Sequence, residues 1–76
     1  MKIYTTRYPS YPRRVQLIVE HQGVEYAHWY DEPKSATKTE KEDCLYRQVK
    51  YLAQTLGLPG DSEWEFAVAS PQGQAQ

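Results

Sequence analysis

The stretch RVQLIVEHQGVEYAHWYD, residues 14–31, decides the fold that the sequence predicts. Before Gly23, apolar and polar side chains alternate, as in a β-strand with one buried face. After Gly23, the chain is rich in the β-branched and aromatic residues that strands favour. The stretch therefore predicts a β-hairpin, and the length of its loop determines which side chains lie on each face.

Two hairpin loops compete around Gly23. A two-residue type I′ turn needs a left-handed conformation at Gln22, which suits Asn, Asp or Gly better. A three-residue loop, residues 21–23, needs that conformation only at the glycine, and we expect this loop. The core face would then carry Val15, Leu17, Val19, Ala27 and Trp29. The opposite face would carry Gln16, Ile18, Tyr26, His28 and Tyr30.

A first strand is predicted over residues 1–8, and it ends at Tyr8-Pro9-Ser10-Tyr11-Pro12. The two prolines lack backbone donors and favour extended conformations in the residues before them, so this segment predicts a connection between strands. It is either an ordinary rigid turn or an exposed contact loop. In the second case its contact residues are Tyr8, Tyr11, Arg13 and Arg14, with Arg7 beside them.

A polar linker precedes a single predicted helix. Thr37 with Glu40, and Thr39 with Glu42, both fit the capping box that marks a helix N-terminus. Gly57 supplies a left-handed C-cap. The apolar stripe of the helix consists of Leu45, Val49, Leu52, Ala53 and Leu56, and a partly buried Cys44 lies beside it.

The last predicted strand covers residues 63–69, with Trp64, Phe66 and Val68 towards the helix. Residues 71–76 have no apolar anchor, and we expect a disordered tail there. These elements predict one α+β domain over residues 1–70 with the order βββαβ. A right-handed crossover makes the last strand parallel to the first, which gives the expected sheet order 3-2-1-4.

Composition and charge restrict the class of protein. The net charge is -1, with four basic and two acidic side chains in residues 1–30 and five basic and eight acidic in residues 31–76. A single cysteine cannot form an internal disulfide, and no Cys/His cluster has zinc-ligand spacing. No apolar run approaches the roughly 18 residues of a membrane span. We therefore expect a cytoplasmic protein with no metal, cofactor or membrane partner.

No candidate catalytic residues emerge from the sequence. The order βββαβ resembles the first half of ribonuclease H-like domains, whose two-metal chemistry needs converging carboxylates, typically beginning in the first strand. The predicted first strand contains no acid, and the chain has no nucleophile motif or glycine-rich phosphate loop. His21 and His28 have no third metal ligand in view. We therefore expect no enzyme.

The exposed aromatic face and the Tyr/Pro segment predict a protein-binding module. The expected partner-binding residues are Tyr26, His28, Tyr30, Ile18, Tyr8, Tyr11, Arg13 and Arg14. Over residues 1–70, the organisation into a short β-meander, a linker, one capped helix and a final strand resembles small phage-encoded anti-CRISPR proteins. This resemblance of element order and size implies a non-enzymatic inhibitor that binds a Cas protein or a CRISPR-Cas complex and blocks DNA recognition or nuclease recruitment.

Two alternatives stay open. A single-stranded nucleic-acid-binding domain would stack bases on tyrosines and hold phosphates with arginines. The tyrosines would be Tyr26, Tyr30 and Tyr4 or Tyr8, and the arginines Arg7, Arg13 and Arg14. Glu20, Glu63 and Glu65 oppose this reading because they share the same predicted face. The third possibility is a homodimer that forms through the open face or through a sheet edge.

Overall fold

The computed structural model describes residues 1–67 of the chain. Its elements are β1 (Lys2–Tyr8), β2 (Tyr11–His21), β3 (Val24–Asp31), α1 (Lys38–Leu56), a short 3₁₀ helix (Asp61–Glu63) and β4 (Glu65–Phe66). The first three strands form an antiparallel meander, and β4 lies parallel to β1, so the sheet order is 3-2-1-4. The predicted α+β class, element order and sheet order are confirmed. The predicted disordered tail at residues 71–76 lies outside the described residues.

The hairpin between β2 and β3 turns through two residues. Gln22 and Gly23 both have positive φ, 54° and 79°, as in a type I′ turn. Val15 pairs with Tyr30 in the resulting ladder, so the predicted three-residue loop is wrong. A left-handed conformation at Gln22 costs about 1 kcal/mol. The type I′ turn offsets this cost because its twist matches that of the flanking strands.

A one-residue change of register moves every side chain of β3 to the other face of the sheet. Tyr26, His28 and Tyr30 therefore lie on the side that faces α1, because they pair with core residues of β2. Trp29 lies on the open side. The predicted exposure of the first three residues and the predicted core position of Trp29 are both wrong. The position of Ile18 on the open side is confirmed.

The core lies between the sheet and α1. Its buried cluster is Ile3, Leu17, Val19, Val49 and Leu52, and the partly buried side chains packed against it are Met1, Tyr30, Leu45, Leu58 and Trp64. Burying one such aliphatic side chain contributes roughly 1.5–3 kcal/mol. Cys44 is buried next to the helix stripe, as predicted. Leu56 is exposed because it is the last residue of the helix.

Local sequence signals determine both ends of α1. The side chain of Thr37 accepts a hydrogen bond from the backbone of Glu40 at 3.1 Å, and Glu40 accepts one from the backbone of Thr37 at 2.8 Å. The first of the two candidate capping boxes is therefore the one that forms. Gly57 has a left-handed φ of 71°, and the amide of Leu58 donates to the carbonyl of Ala53 at 2.9 Å. This is the predicted C-terminal cap.

The final strand begins later than predicted. Glu63 belongs to the 3₁₀ helix, and β4 contains only Glu65 and Phe66 within the described chain. Trp64 packs against the core, and its indole Nε1 donates to the carbonyl of Pro59 at 3.0 Å. The predicted strand residues 68 and 69 lie outside the described part. None of the helices described is long and apolar enough to cross a membrane.

The register predicts unequal effects for two truncations in β3. Tyr30→Ala should lower the free energy of unfolding by about 2–4 kcal/mol, because it removes a ring that packs against the core. Trp29→Ala should cost less than about 1.5 kcal/mol, because it removes an exposed ring with one aromatic neighbour. Urea unfolding of both variants measures the difference. A larger loss for Trp29→Ala would support the three-residue loop instead.

Candidate functional site

The open face is the side of the sheet opposite α1. Its side chains alternate along each strand with those that face the helix. They are Lys2, Tyr4, Thr6 and Tyr8 from β1, Arg14, Gln16, Ile18 and Glu20 from β2, Glu25, Ala27, Trp29 and Asp31 from β3, and Glu65 from β4. Cross-strand pairing arranges them in rows, so neighbours in space come from different strands.

Three aromatic rings meet at one end of this face, and we call them the aromatic cluster. Tyr8 lies 4.9 Å from Trp29 and 6.3 Å from Tyr11, measured between ring centroids. These separations are typical of attractive aromatic pairs. The rings nevertheless stay accessible, with 45% of Tyr8, 61% of Tyr11 and 42% of Trp29 exposed. The cluster is therefore an exposed aromatic surface on the sheet.

Arg14 is held against this cluster by two contacts. Its guanidinium lies 5.7 Å from the ring centroid of Tyr11, and its Nε donates to Oδ1 of Asp31 at 3.1 Å. The hydrogen bond from Arg14 lowers the pKa of the Asp31 carboxyl. Because about half of each side chain is exposed, this ion pair adds little stability. Its effect is to orient the guanidinium beside the ring.

An open groove of about 470 Å³ borders the cluster, and we call it the basic groove. It is lined by Ser10, Tyr11, Pro12, Arg13, Arg14, Asp31 and Lys34. Arg14 is paired with Asp31, whereas Arg13 and Lys34 form no ion pair with any of residues 1–67. With three basic side chains and one acidic side chain in its lining, the groove has a net positive charge.

The opposite end of the open face is negative. A single cross-strand row contains Glu25, Glu20, Lys2 and Glu65, in that order, and we call it the acidic row. Tyr4 donates its hydroxyl to Glu20 at 2.9 Å, and this hydrogen bond raises the pKa of Tyr4. Six residues of β2 separate the two ends of the face, or about 20 Å at the usual rise of a strand. The open face is therefore negative at this end, whereas at the other end the charges of Arg14 and Asp31 compensate each other.

An ion pair between a half-exposed arginine and a buried carboxylate supports the end of the sheet that carries the cluster. Glu32 is only 4% exposed, and both of its carboxylate oxygens accept hydrogen bonds from Arg7, at 2.6 and 2.8 Å. Arg7 also donates to the carbonyl of Pro12 at 3.2 Å. The backbone amide of Glu32 donates to the carbonyl of Arg13 at 2.8 Å. These bonds join the Tyr/Pro segment to the linker that leads to α1.

The sequence analysis did not predict this ion pair, because Arg7 lies beside the Tyr/Pro segment and Glu32 lies in the polar linker. The alternation of side chains along β1 and β3 could nevertheless have predicted it. In β1, Ile3 and Thr5 face the helix, and Arg7 follows them at the same spacing of two residues. In β3, Tyr30 faces the helix, and Glu32 follows it by two residues. Continuing both patterns brings the two side chains to the same side of the sheet.

The structure brings together four of the predicted contact residues, namely Tyr8, Tyr11, Arg13 and Arg14, while Ile18 lies in the middle of the open face. His28 lies on the helix side, with its Nε2 2.8 Å from Oε1 of Gln48. Tyr30 lies on the same side, and burial raises its pKa to about 12. Trp29 is the exposed aromatic residue of the open face that the sequence analysis assigned to the core, because of the three-residue loop.

The Arg7–Glu32 pair predicts a pH dependence of stability. Arg7 lowers the pKa of Glu32 in the folded protein, so the pair stabilises the fold above the ordinary carboxyl pKa of about 4.3. That contribution is lost as the pH falls through the lowered, folded-state pKa. Glu32→Gln should cost about 1–3 kcal/mol at pH 7, because a charge-assisted hydrogen bond is lost, and less at about pH 3, below the ordinary carboxyl pKa.

Urea unfolding at pH 7, 5 and 3 measures this difference, with Asp31→Asn as the control because its ion pair is exposed. The control should change stability at pH 7 by less than Glu32→Gln does. If Glu32→Gln destabilised the protein equally at all three pH values, the charge of Glu32 would have no part in folding.

Among residues 1–67, no group of three or more His, Cys, Asp or Glu side chains is placed to hold a metal ion. Comparisons of the chain with protein-family models, with curated proteins and with solved structures found no match.

Proposed function

We propose that this chain is a non-enzymatic protein-binding module that holds its partner on the open face of the sheet. The observation that carries this proposal is the aromatic cluster, three accessible rings in mutual contact beside Arg14. Tyr, Trp and Arg are the residues most enriched at the energetic centres of protein interfaces. An aromatic surface of this kind buries a large apolar area at a small cost in side-chain entropy.

The cluster is preorganised, which favours a role in binding. Its rings lie on adjacent strands of an antiparallel ladder, and Arg14 is oriented by Asp31. The Arg7–Glu32 pair connects the Tyr/Pro segment to the linker. A surface that is already ordered loses little conformational entropy when a partner docks, so more of the contact energy becomes affinity.

A protein partner fits this face better than a nucleic acid. Base stacking needs free ring faces, whereas Tyr8 and Trp29 lie against each other with an angle of 32° between their planes. Arg7 is engaged by Glu32 and is not available to a phosphate. A nucleic-acid strand that ran along the sheet would also meet the acidic row and be repelled by it.

We propose masking of a partner's surface as the mode of action. The resemblance to small anti-CRISPR proteins suggests a Cas protein or a CRISPR-Cas complex as that partner, and this stays a prediction.

A CRISPR-immune bacterial strain that expresses the chain can be challenged with the phage that its spacers target. We expect the wild-type chain to restore phage growth and a chain carrying Trp29→Ala to restore much less. Full immunity with the wild-type chain would contradict this choice of partner in the system tested.

The aromatic cluster predicts which substitutions weaken binding. Tyr8→Ala and Trp29→Ala should each weaken partner binding by more than about 1 kcal/mol, or roughly fivefold in Kd, as expected for aromatic anchors. Tyr51→Ala is the matched control, because Tyr51 is an exposed aromatic residue on α1, on the other side of the molecule. The immobilised chain would capture its partner from a lysate of the native host, and calorimetry would then measure Kd for the purified pair.

If Tyr51→Ala abolished partner binding while Tyr8→Ala and Trp29→Ala did not weaken it, the binding surface would lie on the helix. That result would contradict the proposal. Circular dichroism and thermal unfolding establish that each variant is folded before its affinity is compared.

Nucleic-acid binding is tested directly with a fluorescent single-stranded DNA of about 15 nucleotides and an RNA of the same sequence, each at a low and a high salt concentration. We expect no saturable binding of either strand below about 100 μM chain, a concentration that corresponds to a weak, non-specific affinity. Tight binding that falls steeply as salt rises would replace the proposed protein partner with a nucleic acid.

A further inference from the structure

The basic groove lies where the Tyr/Pro segment meets the beginning of the linker to α1. Its lining comes from two parts of the chain, residues 10–14 and the pair Asp31 and Lys34. All of these residues are exposed. Three basic side chains against one acidic side chain give the groove an excess of two positive charges. The groove is therefore an accessible, positively charged surface.

Arg13 and Lys34 account for this excess. Arg14 and Asp31 compensate each other through their ion pair, whereas Arg13 and Lys34 form no ion pair with any of residues 1–67. The charge of Arg13 adds to the hydrogen bond from Arg14 in lowering the pKa of Asp31, so Arg13 acts electrostatically on the groove. An anionic group in the groove would therefore meet two cations that no carboxylate of the described chain engages in an ion pair.

We infer that the basic groove binds an acidic segment of the protein partner, through the carboxylates of Asp or Glu side chains. Because it names the chemistry of the partner, this inference rests on the proposed function. Guanidinium groups bind carboxylates through two parallel hydrogen bonds, and a lysine ammonium binds them as a compact charge. Ser10 and Tyr11 add hydroxyl donors to the same lining.

The size of the groove suits a short segment of chain. Its volume of about 470 Å³ lies within the range of about 300–1,000 Å³ that is usual for binding clefts. Such a volume accommodates a few side chains. The partner therefore inserts a short run of acidic residues.

The groove and the aromatic cluster form one continuous surface, because Tyr11 belongs to both. An apolar or aromatic side chain of the partner packs on the cluster, and acidic side chains next to it reach the groove. Charged contacts beside an apolar contact speed association and select the partner. The expected epitope is therefore an apolar residue adjoining several acidic residues.

A short acidic segment fits the distribution of charge better than a nucleic acid does. A nucleic-acid strand has a phosphate at every nucleotide and needs positive charge along its path. The open face beside the groove has the opposite sign, with four acidic and two basic side chains. A segment with a few carboxylates ends before it reaches the acidic row.

Peptide binding followed by NMR tests the inference. The probe is a short synthetic peptide in which one tryptophan precedes a run of glutamates. In the control peptide, glutamine replaces each glutamate, which keeps the shape and removes the charge. At low salt, the glutamate peptide should shift the amide resonances of residues 10–14 and 31–34 with a Kd below about 1 mM. Its binding should weaken as salt screens the contact, and the glutamine peptide should bind at least about fivefold more weakly.

Two variants of the chain separate the groove from the overall charge. R13Q/K34Q removes two cations from the groove, and K38Q/R47Q makes the same change of net charge on exposed residues of α1. R13Q/K34Q should raise the Kd of the glutamate peptide, and of the captured partner, at least about fivefold. The control K38Q/R47Q should raise either Kd less than about twofold. Thermal unfolding establishes that both variants are folded.

Four results would overturn the inference. The first is no saturable shift of the groove residues at about 1 mM glutamate peptide. The second is equal binding of the glutamate and glutamine peptides. The third is an equal loss of affinity in K38Q/R47Q and R13Q/K34Q. The fourth is tighter binding of inorganic phosphate or of the fluorescent single-stranded DNA to the groove, which would assign it to phosphate groups.

The captured partner distinguishes this inference from the proposed function. If Trp29→Ala weakened partner binding and R13Q/K34Q did not, the role of the groove would be overturned and the proposed function would stand. If the glutamate peptide bound the groove while Tyr8→Ala and Trp29→Ala left partner binding unchanged, the groove would remain a carboxylate site and the proposed function would be overturned.

Discussion

The left-handed conformations of Gln22 and Gly23 set the register between β2 and β3, and most other features of the molecule depend on that register. With a two-residue turn, Tyr30 packs against the helix layer and Trp29 joins the open face. A three-residue turn would exchange them. The left-handed conformation of Gln22 has a small energetic cost. The register that it sets decides which aromatic residues stabilise the core and which stay exposed on the open face.

Signals that act over a few residues predicted the helix and the sheet order well. The reciprocal bonds of Thr37 and Glu40, and the left-handed Gly57, depend only on near neighbours in the chain, so the sequence contains all that is needed to recognise them. The position of β4 beside β1 and parallel to it is the arrangement expected when a single helix returns the chain across the sheet. Neither feature requires knowledge of how the layers pack.

The register could not be predicted in this way, because both faces of β3 contain aromatic residues. Tyr26, His28 and Tyr30 occupy one face and Trp29 the other, so alternation alone does not distinguish the core face from the open face. Packing against α1, including the contact of His28 with Gln48, agrees with the register that the turn at Gln22 and Gly23 sets. The predicted contact residues of the Tyr/Pro segment were independent of this choice, because Tyr8, Tyr11, Arg13 and Arg14 lie outside β3.

The Arg7–Glu32 ion pair joins two residues that are 25 positions apart in the chain. Its geometry is complete only when the meander is paired and the linker has reached the end of the sheet. Contacts of this kind form after the folding nucleus, because the chain must first be ordered over the whole loop. Such late contacts slow unfolding more than they speed folding. We therefore expect the pair to lengthen the lifetime of the folded state, and with it the time for which the Tyr/Pro segment and its rings stay in place.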